Sequence, residues 1–144
     1  MDIKIRYANK DDKEQIFSLV EKFATSFKPD FTEFNISYEK ILTNDSAIVL
    51  VVLDKNKVIG YLLGFEHYTF YANGRVGWVE EIMVDENYRR QKLGNALMDE
   101  FNKWIQSKHG KLIGLATRRA ADFYKAIGYE ESAVFFRKLI NETK

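Results

Sequence analysis

The sequence predicts a mixed α/β (α+β) domain in which a single sheet is flanked by helices. Three observations carry this expectation. Apolar runs near the middle of the chain are joined by short polar turns, as an antiparallel meander requires. Amphipathic helical segments precede this run. Strand and helix patterns then alternate toward the C-terminus. At 144 residues the chain is long enough for one full core, and no linker, repeat or low-complexity stretch divides it. Residues 1–144 are therefore read as one domain.

Ile3, Ile5 and Tyr7 alternate with polar residues as in a first strand. Asp11 followed by Glu14 has the spacing of a capping box. The helix it opens carries Ile16, Leu19, Val20, Phe23 and Phe27 on one face, with Pro29 as its stop. Residues 30–45 read as a loop and a shorter helix around Tyr38, Ile41 and Leu42. Ala47–Leu53 and Val58–Glu66 flank the polar turn 54–57 as a hairpin, and a second turn at Ala72-Asn73-Gly74 leads into the strand Gly77–Val84. A helix over Leu93–Ser107 places Leu93, Ala96, Leu97, Phe101, Trp104 and Ile105 on its buried side, and Gly110 lies past its end. A short strand Lys111–Ala116, a helix Ala120–Ile127 stopped by Gly128, and a final strand Ala133–Ile140 complete the order β-α-α-β-β-β-α-β-α-β.

Composition narrows the classes. With 22 basic and 21 acidic residues, no broad nucleic-acid-binding face is indicated. The absence of cysteine removes disulfides, thiolate metal sites and a cysteine nucleophile. His67 and His109 are too few and too scattered for a metal site, so no metal is expected. No apolar run has the length of a signal region or a membrane span, and a cytoplasmic protein is the expectation.

Chemistry concentrates in Val79–Met98. An apolar strand with two carboxylates feeds a basic, Gly-containing turn that opens a helix. Free N–H groups of such a turn and the positive end of the helix both suit a pyrophosphate. Arg89, Arg90 and Lys92 point the same way, because cations at a helix N-terminus oppose its dipole unless an anion is present. Strand alternation puts Glu80 on a face with Trp78, Ile82 and Val84, and Glu81 on a face with Val79 and Met83. A P-loop or Rossmann reading fails, since there is no GK[ST] and no G-x-G-x-x-G after the first strand.

Tyr88-Arg89-Arg90-Gln91-Lys92-Leu93-Gly94-Asn95-Ala96-Leu97 resembles the acetyl-CoA signature Q/R-x-x-G-x-G/A of the GCN5-related N-acetyltransferases (GNAT superfamily). Residues 120–129, Ala-Ala-Asp-Phe-Tyr-Lys-Ala-Ile-Gly-Tyr, resemble that family's A-x-x-F-Y-x-x-x-G-[FY] pattern. The resemblance extends over nearly the whole chain. It implies a mostly antiparallel central sheet of six to seven strands with about four helices, splayed at the strand that holds the cofactor. It departs from the family at two places: Lys92 stands at the first motif glycine, and Thr117 stands where Asn is frequent. Lys92 is expected in the right-handed helical region, where its amide still donates and its ammonium adds a phosphate contact.

The resemblance implies transfer of an acetyl group from acetyl-CoA, as co-substrate, directly to an amine. Glu80 would be the general base, its carboxylate tuned by an apolar wall at Trp78, and Glu81 structural or substrate-facing. Tyr124 would protonate the leaving thiolate. Backbone amides of Ile82, Met83 and Val84 would hold the pantetheine arm, and Arg89, Arg90, Gln91, Lys92, Leu93, Gly94 and Asn95 the pyrophosphate, with Thr117 and Phe123 completing the cofactor site. The acceptor would be a small-molecule or peptide amine. Glu66, Glu80 and Glu81 suit a cation, and the aromatic-rich stretch 65–71, with His67, Tyr68, Phe70 and Tyr71, suits an apolar body. Strand Ala133–Ile140 and the second helix offer surfaces for a homodimer, which the family also implies. The alternative is a non-catalytic acyl-CoA-binding or regulatory module on the same fold, suggested by Lys92 and Thr117.

Overall fold

The computed structural model describes residues 2–24 and 26–140. Five strands, β1 (Ile3–Tyr7), β2 (Ala47–Asp54), β3 (Lys57–Thr69), β4 (Gly74–Val84) and β5 (Ile113–Leu115), lie in the order β1-β2-β3-β4-β5. The first four pair antiparallel with their neighbours, and β5 joins β4 in parallel. Four helices cover the sheet: α1 (Lys13–Phe23), α2 (Phe31–Leu42), α3 (Leu93–Ser107) and α4 (Ala121–Ala126).

Strand β2 is a run of β-branched and leucine residues, and it is buried on both faces, as the centre of a three-layer fold demands. Its alternate residues feed two cores. Ile48, Leu50 and Val52 pack with Leu93, Leu97, Met98, Phe101 and Ile105 of α3, while Val49, Val51 and Leu53 pack with Ile16, Leu19 and Tyr38 of α1 and α2. Gly64 of β3 and Gly77 of β4 lie beneath Phe101 and Ile105, so α3 rests directly on the sheet backbone. Tyr124 anchors α4 in the α3-side core.

Several boundaries depart from the sequence reading. The capping box is formed by Asn9 at the start of a 3₁₀ turn, Lys10–Asp12, that leads into α1: the Asn9 side chain accepts from the Asp11 N–H, and the Asp12 carboxylate accepts from the Asn9 N–H. This capping box sits two residues earlier than the Asp11/Glu14 pair, because Asp12 also ion-pairs with Arg6 at 2.7 Å. α1 ends at Phe23, ahead of Pro29, leaving Phe27 exposed. α2 is longer than expected, being capped by Asp30, whose carboxylate accepts from the Glu33 N–H. β3 and β4 both run further, meeting at a turn where Asn73 and Gly74 take positive φ.

The largest correction concerns the end of the chain. Ala133–Ile140 is not a strand: residues 129–139 have no regular structure, so the sheet has five strands among the described residues rather than six to seven. Apolar alternation alone does not make a strand when no partner edge receives its hydrogen bonds.

Candidate active site

The site is organised by a defect in β4. Leu63 pairs with Glu81 while Gly64 pairs with Val79, so Glu80 is the extra residue of a β-bulge. One inserted residue reverses the alternation beyond it. Val79, Ile82 and Val84 face α3, whereas Glu81 and Met83 face α1 and α2. Trp78 lies next to Val79 and so points away from α3, on the Glu81 side. This corrects the face assignment made from uninterrupted alternation. Trp78 shares its face with Glu81 and cannot wall Glu80 as expected.

Glu80 is exposed at the bulge. Glu81 is half-buried, and its Oε1 accepts a 2.7 Å hydrogen bond from the Tyr61 hydroxyl. Burial raises the Glu81 carboxyl above its usual range; the Tyr61 bond works against this and the neighbouring Glu80 charge adds to it. Tyr61, only 2% exposed, was not singled out from sequence, because within Tyr61-Leu62-Leu63 it reads as ordinary core. Burial, reinforced by the charge and hydrogen bond of Glu81, pushes its own ionisation far up, so it is a pure donor.

The bulge also marks where the sheet opens. Among the described residues β5 pairs with β4 at Gly77, Trp78 and Val79, and beyond this point β4 has no partner on that side. The Asp85 N–H donates to the Ile59 carbonyl at 2.7 Å, so by alternation the backbone of Met83 also faces β3, and that of Ile82 and Val84 faces the opening. The Val84 carbonyl is indeed reached from that side by Arg89 Nε at 3.4 Å. Of the three residues expected to present amides, Ile82 and Val84 are so placed and Met83 is not.

At the mouth of the opening, Val84, Tyr88, Arg89, Arg90, Lys92, Leu93, Gly94 and Phe123 line one cleft. The Phe123 ring lies against Gly94, near enough that a Cβ there would meet it at 3.5 Å. A one-turn 3₁₀ segment, Glu86–Tyr88, is pinned by Asp85, which accepts from the Asn87 N–H, and by the Tyr88 hydroxyl, which donates to Asp54 at 3.0 Å. Arg90 and Lys92 both take positive φ, and Lys92 is left-handed at φ 62°, ψ 24°, correcting the right-handed expectation. α3 starts with no side-chain cap, and its first intrahelical bond runs from the Ala96 N–H to the Lys92 carbonyl. The N–H groups of Leu93, Gly94 and Asn95 are therefore the unclaimed donors of this helix end. Three cations and an uncapped helix N-terminus in one cleft fit the pyrophosphate of coenzyme A.

Tyr124 is buried beside Phe123 and Tyr129, with ring centroids at 4.9 and 5.8 Å. Burial, then the neighbouring Tyr129, raises its ionisation, so it is protonated at neutral pH. The Thr117 hydroxyl accepts from the Ala120 N–H at 3.0 Å and organises the start of α4.

Two expectations for the acceptor side fail. Glu66 is buried among Ser46, Arg75 and Lys108, with ion-pair distances of 3.5 and 3.6 Å, and is already neutralised. Tyr68, Phe70 and Tyr71 are exposed toward the tip of the β3–β4 hairpin, and His67 pairs with Val76. That tip lies roughly 20 Å along β4 from Glu80 at ~3.3 Å per residue. The structure therefore does not gather these residues at the bulge.

Residues 45–131 match the acetyltransferase (GNAT) domain family. The aminoalkylphosphonate N-acetyltransferase of Salmonella typhimurium is 23% identical over 142 residues, covering 95% of this chain and 91% of that protein. Among solved structures, glucosamine-6-phosphate N-acetyltransferase from Arabidopsis thaliana superposes with a TM-score of 0.86 at 20% identity, over 98% of this chain and 100% of that one. AAC(6')-Iy in complex with a bisubstrate analog, CoA-S-monomethyl-acetylneamine, gives 0.83 at 20% identity, over 97% and 100%. The family match spans more than half of the chain, and the open β4 strand and uncapped α3 lie within it. The chain thus belongs to the GNAT superfamily, the acetyl-CoA-dependent N-acetyltransferases.

Proposed function

We propose that this protein acetylates the amine of a small molecule or peptide, with Glu80 as general base and Tyr124 as general acid. The observation that carries the reading is the coincidence of the Glu80 bulge with the point where β5 leaves β4. There an exposed carboxylate stands next to backbone donors that have no strand partner. Glu80 accepts a proton from the amine as the new amide bond forms, directly or through water. The Ile82 and Val84 amides hold the pantetheine arm and stabilise negative charge on the thioester oxygen, a contribution of about 3–4 kcal/mol for one well-placed donor. Arg89, Arg90, Lys92 and the amides of Leu93, Gly94 and Asn95 hold the pyrophosphate, Gln91 flanks them, and Phe123 covers Gly94. Tyr124, kept protonated by burial, returns a proton to the departing sulfur. Bound acetyl-CoA supplies the activated acyl group. The solved relatives that act on amino sugars and aminoglycosides support a small amine. The cysteine-free composition suits a cytoplasmic setting.

A second reading is favoured by one observation, the half-burial of Glu81 against Tyr61 on the far side of the bulge. Glu81 has its carboxyl raised toward neutrality, as suits a base. Thiol release from acetyl-CoA with a panel of amines decides. With Glu80 as base, Glu80→Gln lowers kcat roughly 10²–10⁴-fold while Glu81→Gln does not. With Glu81 as base the order reverses, and Tyr61→Phe, by removing the bond that opposes the raised pKa, moves the acid limb of kcat/KM to higher pH. Tyr124→Phe lowers kcat with KM for acetyl-CoA retained. Coenzyme A binding without turnover on any amine identifies instead a non-catalytic acyl-CoA-binding module.

A further inference from the structure

The approach to the bulge on the α1 and α2 side of β4 is aromatic. Its floor is Trp78, on the same face as Glu81. Trp78 pairs with Gly114 of β5, and a Cβ on that glycine would meet the Trp78 ring at 3.3 Å. The indole therefore lies over β5, next to the point where the sheet opens. Phe135 stacks on it with centroids 6.5 Å apart and planes 24° from parallel, and is still 59% exposed. Two contacts bring neighbouring segments to this floor. The Arg137 guanidinium donates to the Ser26 hydroxyl at 3.0 Å, tying the chain after α4 to the chain after α1. Lys22, in the last turn of α1, pairs at 3.8 Å with Asp85, just past β4. Phe27, beside Ser26, is 68% exposed. An apolar patch that borders a reaction centre and stays exposed in the free protein marks a surface that a ligand completes.

Polar groups are few here. Glu80 and Glu81 are the carboxyls of the bulge; burial raises Glu81, and Glu66 is held in ion pairs elsewhere. A polyamine would bring several ammonium groups to this one pair. A sugar would set its hydroxyls against rings that return no hydrogen bond. A single amine on an aromatic body meets neither penalty. Trp78 and Glu81 lie roughly 7–10 Å apart along the strand at about 3.3 Å per residue, a span for a ring on a short alkyl spacer. We propose that the acceptor is an arylalkylamine: its ring packs against Trp78 and Phe135, and the spacer carries its one amino group to the Glu80–Glu81 bulge.

This substrate class rests on the acetyltransferase reading above and holds with either carboxyl as the base. Trp78 and Phe135 are then the residues that set specificity, while proton transfer and cofactor binding lie with others.

Thiol release from acetyl-CoA by the full chain tests this. Phenethylamine and tyramine are set against glucosamine 6-phosphate, aminomethylphosphonate, sisomicin and a peptide amine. The arylalkylamines are expected to give a kcat/KM at least about tenfold higher than the others. Trp78→Ala and Phe135→Ala should each raise KM for phenethylamine about tenfold, with KM for acetyl-CoA unchanged, whereas Trp78→Phe keeps most of the wild-type value. Phe135 is largely exposed, so Phe135→Ala decides if Trp78→Ala misfolds by circular dichroism. Turnover of a polar or peptide amine as fast as that of the arylalkylamines overturns the substrate class and leaves the acetyltransferase reading standing. So does phenethylamine turnover that neither alanine substitution changes. No turnover with any of these amines removes the acetyltransferase reading and the substrate class with it.

Discussion

At the residue scale, Lys92 shows how one side chain separates backbone from charge. It stands at the first motif glycine, and the backbone takes the left-handed conformation that favours glycine. A β-carbon there costs about 1–2 kcal/mol, a strain tolerated where the structure around it fixes the chain. Lys92→Gly should remove this strain and stabilise the fold by about 0.5–1 kcal/mol net, after the larger unfolded-state entropy of glycine is allowed for. Lys92→Ala keeps the strain and should not stabilise. Both lose the ammonium, so both should bind coenzyme A several-fold more weakly and with a shallower salt dependence. Thermal unfolding and calorimetric titration of the two variants separate the contributions. Binding of Lys92→Ala at wild-type strength would show that the ammonium does not reach the phosphates.

At the element scale, the bulged strand pair is held from below by α3. Gly64 pairs with Val79 at the bulge, and a Cβ on it would come within 2.3 Å of the Phe101 ring, which is fully buried. The ring has nowhere to move, so Gly64→Ala should cost about 1–3 kcal/mol and lower Tm by several degrees. A thermal melt unchanged by this substitution would mean that α3 does not sit on β3 at this point. Most of the fold was legible because each helix and central strand carries its own period, as in Leu93, Leu97, Phe101 and Ile105 along α3. The pyrophosphate cleft was legible for a related reason, its residues being nearly contiguous from Arg89 to Asn95. The bulge was not, since a strand with one inserted residue has the same composition as one without, and parity was therefore assigned wrongly from Glu81 onward. Tyr61 and Glu81 meet only through the register of β3 against β4, twenty residues apart in sequence. The last strand failed for the opposite reason: Ala133–Ile140 has the right pattern, but among the described residues it pairs with no other strand.

At the scale of the whole molecule, two carboxyls with opposite shifts bound the pH range of stability from either side. Burial alone would raise Asp12, but the Arg6 guanidinium and the Asn9 N–H outweigh it and hold its carboxyl below the usual range. A depressed folded pKa contributes stability that is present above the unfolded value and is lost as pH falls through the folded one. Glu81 is shifted upward, chiefly by burial. Its protonated form is the one the fold favours, so its contribution is complete below the ordinary carboxylate range and is lost as pH rises through its raised folded pKa. Replacing each carboxyl by its amide should therefore have mirror-image effects. Asp12→Asn should destabilise at about pH 7, and its difference from the wild type should shrink as pH falls below the ordinary carboxylate range and through the depressed folded pKa of Asp12. Glu81→Gln should match the wild type in acid and exceed it at about pH 8, where the wild type must hold a half-buried carboxylate beside the charge of Glu80. Urea midpoints across this range measure both. A Glu81→Gln variant no more stable than wild type at about pH 8 would mean that Tyr61 compensates fully for burial, leaving Glu81 without the strain that suits it to proton transfer.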